Sequence, residues 1–149
     1  GEAGGVKIID DYAHNPAKIQ AAWKAVEPSK GRVIGIWRPH GYRPLAAMMD
    51  DLSSIFAEVC RPSDILFIMP VYDAGGTADR SIKSLHLVEM LRKRNVPVLY
   101  ADDTDKLVNE AALEAKPGDV VITMGARDPQ LSDLSRRILE RIRLRKLQG

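Results

Sequence analysis

Along its whole length this 149-residue chain alternates short apolar, β-rich runs with amphipathic helical patterns, and that alternation restricts the folds open to it. The runs are Val6–Asp10, Arg32–Trp37, Ile65–Met69, Val96–Tyr100 and Val120–Met124. They are apolar almost throughout, as strands covered on both faces must be. Between them, helical spacing places Ile19, Trp23 and Val26 on one stripe and Leu45, Met49, Leu52, Phe56 and Val59 on the next. Ile82, Leu85, Val88 and Leu91 form a third stripe, Leu107, Ala111 and Leu113 a weaker fourth, and Leu131, Leu134, Ile138 and Ile142 the last. Strand and helix in strict succession imply right-handed βαβ crossovers. The expected fold is a Rossmann-like three-layer α/β domain covering residues 1–149. Its sheet is mostly parallel, with five or six strands and helices on both faces.

The punctuation at the two ends of the strands differs. Turns that enter strands are plain: Lys30-Gly31, Pro62-Ser63-Asp64, Asn95 and Pro117-Gly118-Asp119. Turns that leave them are chemically rich: Asp10 to Asn15, Arg38 to Arg43, Pro70 to Arg80, Ala101 to Asp105 and Gly125 to Pro129. The candidate chemistry therefore lines the carboxyl edge of the sheet, where open α/β folds bind ligands. The densest turn is Asp10-Asp11-Tyr12-Ala13-His14-Asn15-Pro16, in which Asn15 suits a helix N-cap and Pro16 a first helical position. Capping by Asn15, by Asp103 or Thr104, and by Asp128 accounts for acids and amides after strands about as well as ligand binding does. It does not account for His14, His40, Tyr12, Tyr42, Tyr72 and Arg43 gathering on one edge.

Several function classes are disfavoured. A net charge of +2 supplies no footprint for nucleic acid. Arg136, Arg137, Arg141, Arg143, Arg145 and Lys146 in the last helix alternate with Leu139, Ile142, Leu144 and Leu147 rather than with stacking aromatics, so they read as a solvated face. No run approaches the ~18 apolar residues of a membrane span, and no signal-peptide pattern opens the chain. The single cysteine, Cys60, sits on a helix face with no partner, which excludes a disulfide framework and a cysteine zinc site and makes the cytoplasm the default compartment. His14, His40 and His86 lack metal-ligand spacing, and no metal site is assigned. A G-x-S-x-G elbow is absent, as are G-x-x-x-x-G-K-[ST] and a G-x-G-x-x-G after the first strand, so the chain cannot hold a triphosphate by itself in the usual way. Gly75-Gly76 and Gly125-Ala126 read as tight turns. Gly1 to Gly5 reads as the tail of a linker or loop, which suggests a domain excised from a longer protein.

Taken together, DDYAHNP after the first strand, WRPHGYRP after the second, PVYDAGG after the third and MGARDPQLSDL after the fifth resemble the C-terminal domain of the Mur ligases. The likeness runs from about Val6 to Ile142 and is strongest to the branch that joins L-alanine to UDP-N-acetylmuramate, whose turns read DDYGHHP, QPHRYTRT, DIYAAGE and GAG. The resemblance implies an ATP-dependent ligase of peptidoglycan synthesis. ATP phosphorylates the acid, the amine attacks the acyl phosphate, and phosphate leaves a tetrahedral intermediate. It implies three domains, of which this chain matches the amino-acid-binding third, inactive alone, with ATP and Mg²⁺ held mainly by the central domain.

By the same resemblance, Asp11, Tyr12, His14 and Asn15 meet the adenosine side of the nucleotide. Physically this suits an acid that accepts from ribose hydroxyls, a ring that lies against adenine and an imidazole donor nearby. His40 lies near the amine and acyl phosphate as the catalytic group, and Tyr42, Arg43, Tyr72, Asp73, Gly125 and Ala126 line the amino-acid side. His40-Gly41-Tyr42-Arg43-Pro44 departs from the family's His-Arg-Tyr-Thr-Arg. Both family arginines are lost from their places, and only Arg43, one position off, is left to clamp a carboxylate. Gly76 stands where the family has glutamate, and Asn15 replaces a histidine. A murein-tripeptide-recycling ligase or another Mur-like branch fits these departures too. From a different class, a non-catalytic module binding an anion or nucleotide at the same edge remains open, with no membrane insertion expected for either.

Overall fold

The five apolar runs become five parallel strands of one sheet, and a short antiparallel strand joins them at one edge. A computed structural model describes residues 1–73, 75, 79–126 and 128–148. In chain order the elements are β1 (Glu2–Ala3), β2 (Val6–Asp11), α1 (Pro16–Val26), β3 (Val33–Arg38), α2 (Tyr42–Val59) and β4 (Ile65–Ile68). They continue with α3 (Ser84–Lys93), β5 (Val98–Tyr100), α4 (Thr104–Glu114), β6 (Val120–Gly125) and α5 (Pro129–Gln148). Strand order is β1-β2-β6-β3-β4-β5. β6 is thus inserted between β2 and β3, which brings the first, second and fifth strand-end turns side by side.

Apolar residues on both faces of the strands build two cores. Trp23, Trp37, Phe56, Leu87 and Leu91 fill the layer under α1, α2 and α3. Ile34, Phe67, Leu107, Ile138 and Ile142 fill the layer under α4 and α5. Gly35 in β3 is required by this packing, because a Cβ there would lie 2.3 Å from Cζ3 of the fully buried Trp23 ring.

The expected fold class holds, with three local corrections. Gly1 to Gly5 is not a linker tail. Glu2 and Ala3 pair with Lys7 and Val6, and Gly4 and Gly5 turn the chain at φ +56° and +77°, the positive values that a two-residue hairpin turn demands. In α3 the apolar stripe is Leu87, Val88 and Leu91 with Ser84. Ile82 precedes the helix and Leu85 is exposed, so the expected stripe was out of phase by part of a turn. Leu113 likewise faces solvent, and Val108 and Ala112 take its place against the sheet.

The strand-entry turns are structural, as their plain composition suggests. Asp64, 1% exposed, accepts from the backbone N–H of Val33 at 2.9 Å and from the Arg61 guanidinium at 3.0 and 3.1 Å. Asp119 accepts from the backbone N–H groups of Arg32 at 2.8 Å and Lys116 at 2.9 Å. Both carboxylates satisfy N–H groups that the ends of the strands leave without a ladder partner. Among the described residues no helix is long and apolar enough to cross a membrane.

Candidate functional site

The first strand-end turn divides its two acids between different tasks. Asp10 accepts from Thr123 Oγ1 at 2.5 Å and Ser132 Oγ at 2.7 Å, fastening β2 to β6 and α5. Asp11 turns the other way and accepts from the backbone N–H of Ala13 at 2.8 Å through Oδ1, closing an Asx turn. That turn lifts Tyr12 into solvent, 58% exposed. Asn15 caps α1, with Oδ1 accepting from Lys18 N at 3.0 Å, so only its amide nitrogen is left for a ligand.

His14 Nδ1 lies 3.0 Å from the carbonyl oxygen of Tyr12. A carbonyl only accepts, so Nδ1 carries the hydrogen and Nε2 of the neutral ring is an acceptor. The sequence reading cast this imidazole as a donor; the hydrogen bond gives the outer nitrogen the opposite role in the neutral form.

The second and third turns are laced together. Gly41 N donates to Tyr72 O at 2.9 Å and Tyr72 N to Pro39 O at 2.8 Å, continuing the β3–β4 pairing past the ends of the strands. On this extension the His40 ring stacks on Tyr72, 5.0 Å between centroids and 16° from parallel. The Arg38 guanidinium lies 5.0 Å from the same phenol ring and donates to Asp128 at 3.2 Å and Gln130 at 2.5 Å, tying this turn to the start of α5. Gly125 permits that approach, since a Cβ would meet Leu131 Cδ1 at 2.6 Å and Arg38 O at 3.1 Å.

Two of the expected substrate ligands are held locally. Asp73 binds the Arg80 guanidinium at 2.8 and 3.1 Å and accepts from Gly75 N at 2.9 Å. The Arg80 hydrogen bond, more than the Gly75 N–H, pulls the Asp73 carboxyl below the usual carboxylate range. Arg80 also lies 5.8 Å over the ring of Tyr42. Arg43, in the first turn of α2, is exposed and forms no ion pair with the described residues. Gly75 has the positive φ expected of its turn, +85°, whereas Gly76 lies outside the described residues.

His14 and His40 meet at the rim of one cleft of about 300 Å³, between the N-termini of α1 and α2. Its inner surface comes from Trp37, Pro44, Met48 and Ala126. Of the expected site residues it gathers His14, His40 and Ala126, while Asp73, Tyr42 and Arg43 lie outside its lining. Trp37, Arg38 and Met48 were missed; an aromatic at the last buried position before a chemically rich turn was the available signal for Trp37. A larger hollow of about 550 Å³ lies between α4 and α5, beside Leu113, Arg141 and Leu144. It is remote from the strand-end turns, and its Arg145 is occupied in capping α4 through the carbonyls of Ala112, Leu113 and Ala115. Among the described residues no three His, Cys, Asp or Glu side chains come together to hold a metal.

A parallel α/β domain with two imidazoles and exposed aromatic rings on its carboxyl edge is a small-molecule-handling domain of the Rossmann-like class. The chain belongs to the Mur ligase family: residues 1–127 match the family model described as Mur ligase, glutamate ligase domain. It is 35% identical over 130 residues to the UDP-N-acetylmuramate–L-alanine ligase of Pelotomaculum thermopropionicum, a match covering 86% of this chain and 27% of that protein. The chain thus spans about a quarter of the length of this relative. In three dimensions it is similar to the UDP-N-acetylmuramate-alanine ligase MurC of Thermotoga maritima, with a TM-score of 0.68 at 17% identity over 95% of this chain and 28% of that one. It is also similar to the MurF ligase of Thermotoga maritima solved with ADP, with a TM-score of 0.60 at 19% identity over 99% of this chain and 30% of that one. At these identities the structural likeness is one of fold.

Proposed function

We propose that this chain is the C-terminal, amino-acid-handling module of a three-domain, ATP-dependent ligase that joins L-alanine to UDP-N-acetylmuramate in cytoplasmic peptidoglycan synthesis. The observation that carries the reading is the convergence of His14 and His40 on one cleft at the carboxyl edge, in a chain whose relatives bear that activity's name. Donors on this chain do not fit a metal ion or a triphosphate, so Mg²⁺ and the phosphates are assigned to the rest of the enzyme. The nucleotide supplies the activated acyl phosphate, and the chemistry left to this domain is positioning and proton handling.

Tyr12 offers an exposed ring for adenine, and Asp11 retains its second oxygen for a ribose hydroxyl. His40 is exposed and free of hydrogen bonds among the described residues, so its imidazole accepts the proton that the amine sheds on attacking the acyl carbon. The new N–C bond forms as the C–O bond to phosphate breaks. Closure of the cleft over the acyl phosphate keeps water from competing. Tyr72, with Arg38 behind it, fixes the plane of that imidazole.

The test is phosphate release from ATP by the full-length protein. Release that requires both UDP-N-acetylmuramate and L-alanine is expected. Release that requires a murein tripeptide instead of L-alanine assigns the recycling branch, and no acid-dependent release under any combination overturns the ligase reading.

A further inference from the structure

The cleft between α1 and α2 has a floor that the proton-transfer chemistry does not use. Trp37, at the carboxyl end of β3, is 1% exposed, and its indole Nε1–H is buried without an acceptor among the described residues. Phe56 holds the ring edge-on at 5.7 Å and 61°, so the donor cannot swing away to find a partner. The surrounding wall of Pro44, Leu45, Met48 and Ala126 is carbon, apart from backbone. Small-molecule sites are built in this way, from a mostly apolar hollow with one or two fixed polar groups that set orientation. A liquid water molecule occupies roughly 30 Å³, so about 300 Å³ is far more than an alanine methyl fills.

We propose that this cleft receives the side chain of the amino substrate, and that Trp37 Nε1 donates to a neutral acceptor atom on it. The inference rests on the ligase reading above and refines its substrate class. The fitting side chain has a short apolar body of three or four heavy atoms bearing an uncharged oxygen or sulfur. A carboxylate or ammonium would be desolvated there against a single neutral donor. A purely aliphatic chain would leave the indole N–H unsatisfied.

Two probes separate the donor's effect from size. L-norvaline and O-methyl-L-serine differ by one methylene replaced with an ether oxygen, and each is assayed with the full-length enzyme, ATP and UDP-N-acetylmuramate. Expected is a kcat/KM about tenfold higher for O-methyl-L-serine, and a ratio near one in Trp37→Phe, which keeps a ring and removes the donor. A ratio near one in the parent enzyme, or a preference that survives Trp37→Phe, overturns the proposal. Turnover of L-alanine with neither probe accepted also overturns it, while leaving the ligase reading standing; no turnover with any amino acid removes both. Independently of the variant's folding, the Trp37 indole ¹H–¹⁵N resonance of the parent enzyme shifts on addition of O-methyl-L-serine and not of L-norvaline, and equal responses count against the donor role.

Discussion

His40 stacks on Tyr72, 5.0 Å between ring centroids and 16° from parallel, although the two residues leave different strands and lie in different sequence motifs. The stack stands on a backbone bridge between the same two residues, and Arg38 sits 5.0 Å from the Tyr72 ring while gripping Asp128. Three strand-end turns are thus coupled through one aromatic ring, and the orientation of the imidazole depends on all of them.

In the full-length enzyme His40→Ala is expected to lower kcat by about 10²-fold, the scale of a lost general base. Tyr72→Ala should lower it by about tenfold through loss of the stack, whereas Tyr72→Phe should stay close to the parent enzyme because the ring does the positioning. Steady-state phosphate release measures all three. Equal losses in the alanine and phenylalanine variants of Tyr72 would mean that the hydroxyl, not the ring, matters.

Tyr12 is 58% exposed and outside both cores, so Tyr12→Ala should shift stability by no more than about 0.5 kcal/mol. Loss of an adenine platform should raise KM for ATP by about tenfold or more. A denaturant melt paired with an ATP titration separates the two effects, and an unchanged KM would remove Tyr12 from the nucleotide site.

Gly35→Ala should be the harshest one-carbon change in the sheet. The added Cβ would stand 2.3 Å from a Trp23 ring that is fully buried and cannot retreat. Overpacking of this kind costs roughly 1–3 kcal/mol, which lowers Tm by about 3–10 °C in a domain this size. Thermal unfolding followed by circular dichroism reads the change, and an unshifted Tm would show that the helix α1 can slide on the sheet.

Burial, with Asp64 nearby, pushes the Cys60 thiol from 9.0 up to about 12, against the weaker opposing pull of Arg61. At pH 8 the folded protein should therefore resist thiol reagents and label rapidly only in denaturant. The raised value means that the neutral thiol favours the folded state below pH 9, and that this contribution is lost as pH rises from 9 towards about 12. Rapid stoichiometric labelling of the native protein at pH 8 would contradict the burial.

Much of the fold was legible because burial on two faces leaves a plain signature. Strands β2, β3, β4 and β6 read as continuous apolar runs, and Ile19, Leu45, Phe56, Leu134 and Ile138 recur at helical spacing. The edges of the layers were harder. β1 has two residues and reads as a glycine-rich tail, and the phase of α3 was misjudged because Leu85 is an exposed apolar residue with no pattern to betray it. At the candidate site, the edge and the residue types were visible in the turns that follow the strands. Their division of labour was not: Asp10 and Asp11 are identical in sequence, yet one fastens α5 while the other closes an Asx turn.

The chain's own sequence determined the order of strands and helices, the carboxyl edge that bears the polar turns, and the likeness that places the chain among the Mur ligases, because these depend on local period and on motifs of a few residues. Only the tertiary structure decided that β6 runs between β2 and β3, that His40 rests on Tyr72, that Gly35 makes way for Trp23, and that Trp37 floors the cleft with an unanswered donor. Those facts arise from contacts between residues tens of positions apart, and no local pattern records which of the available partners packing will choose.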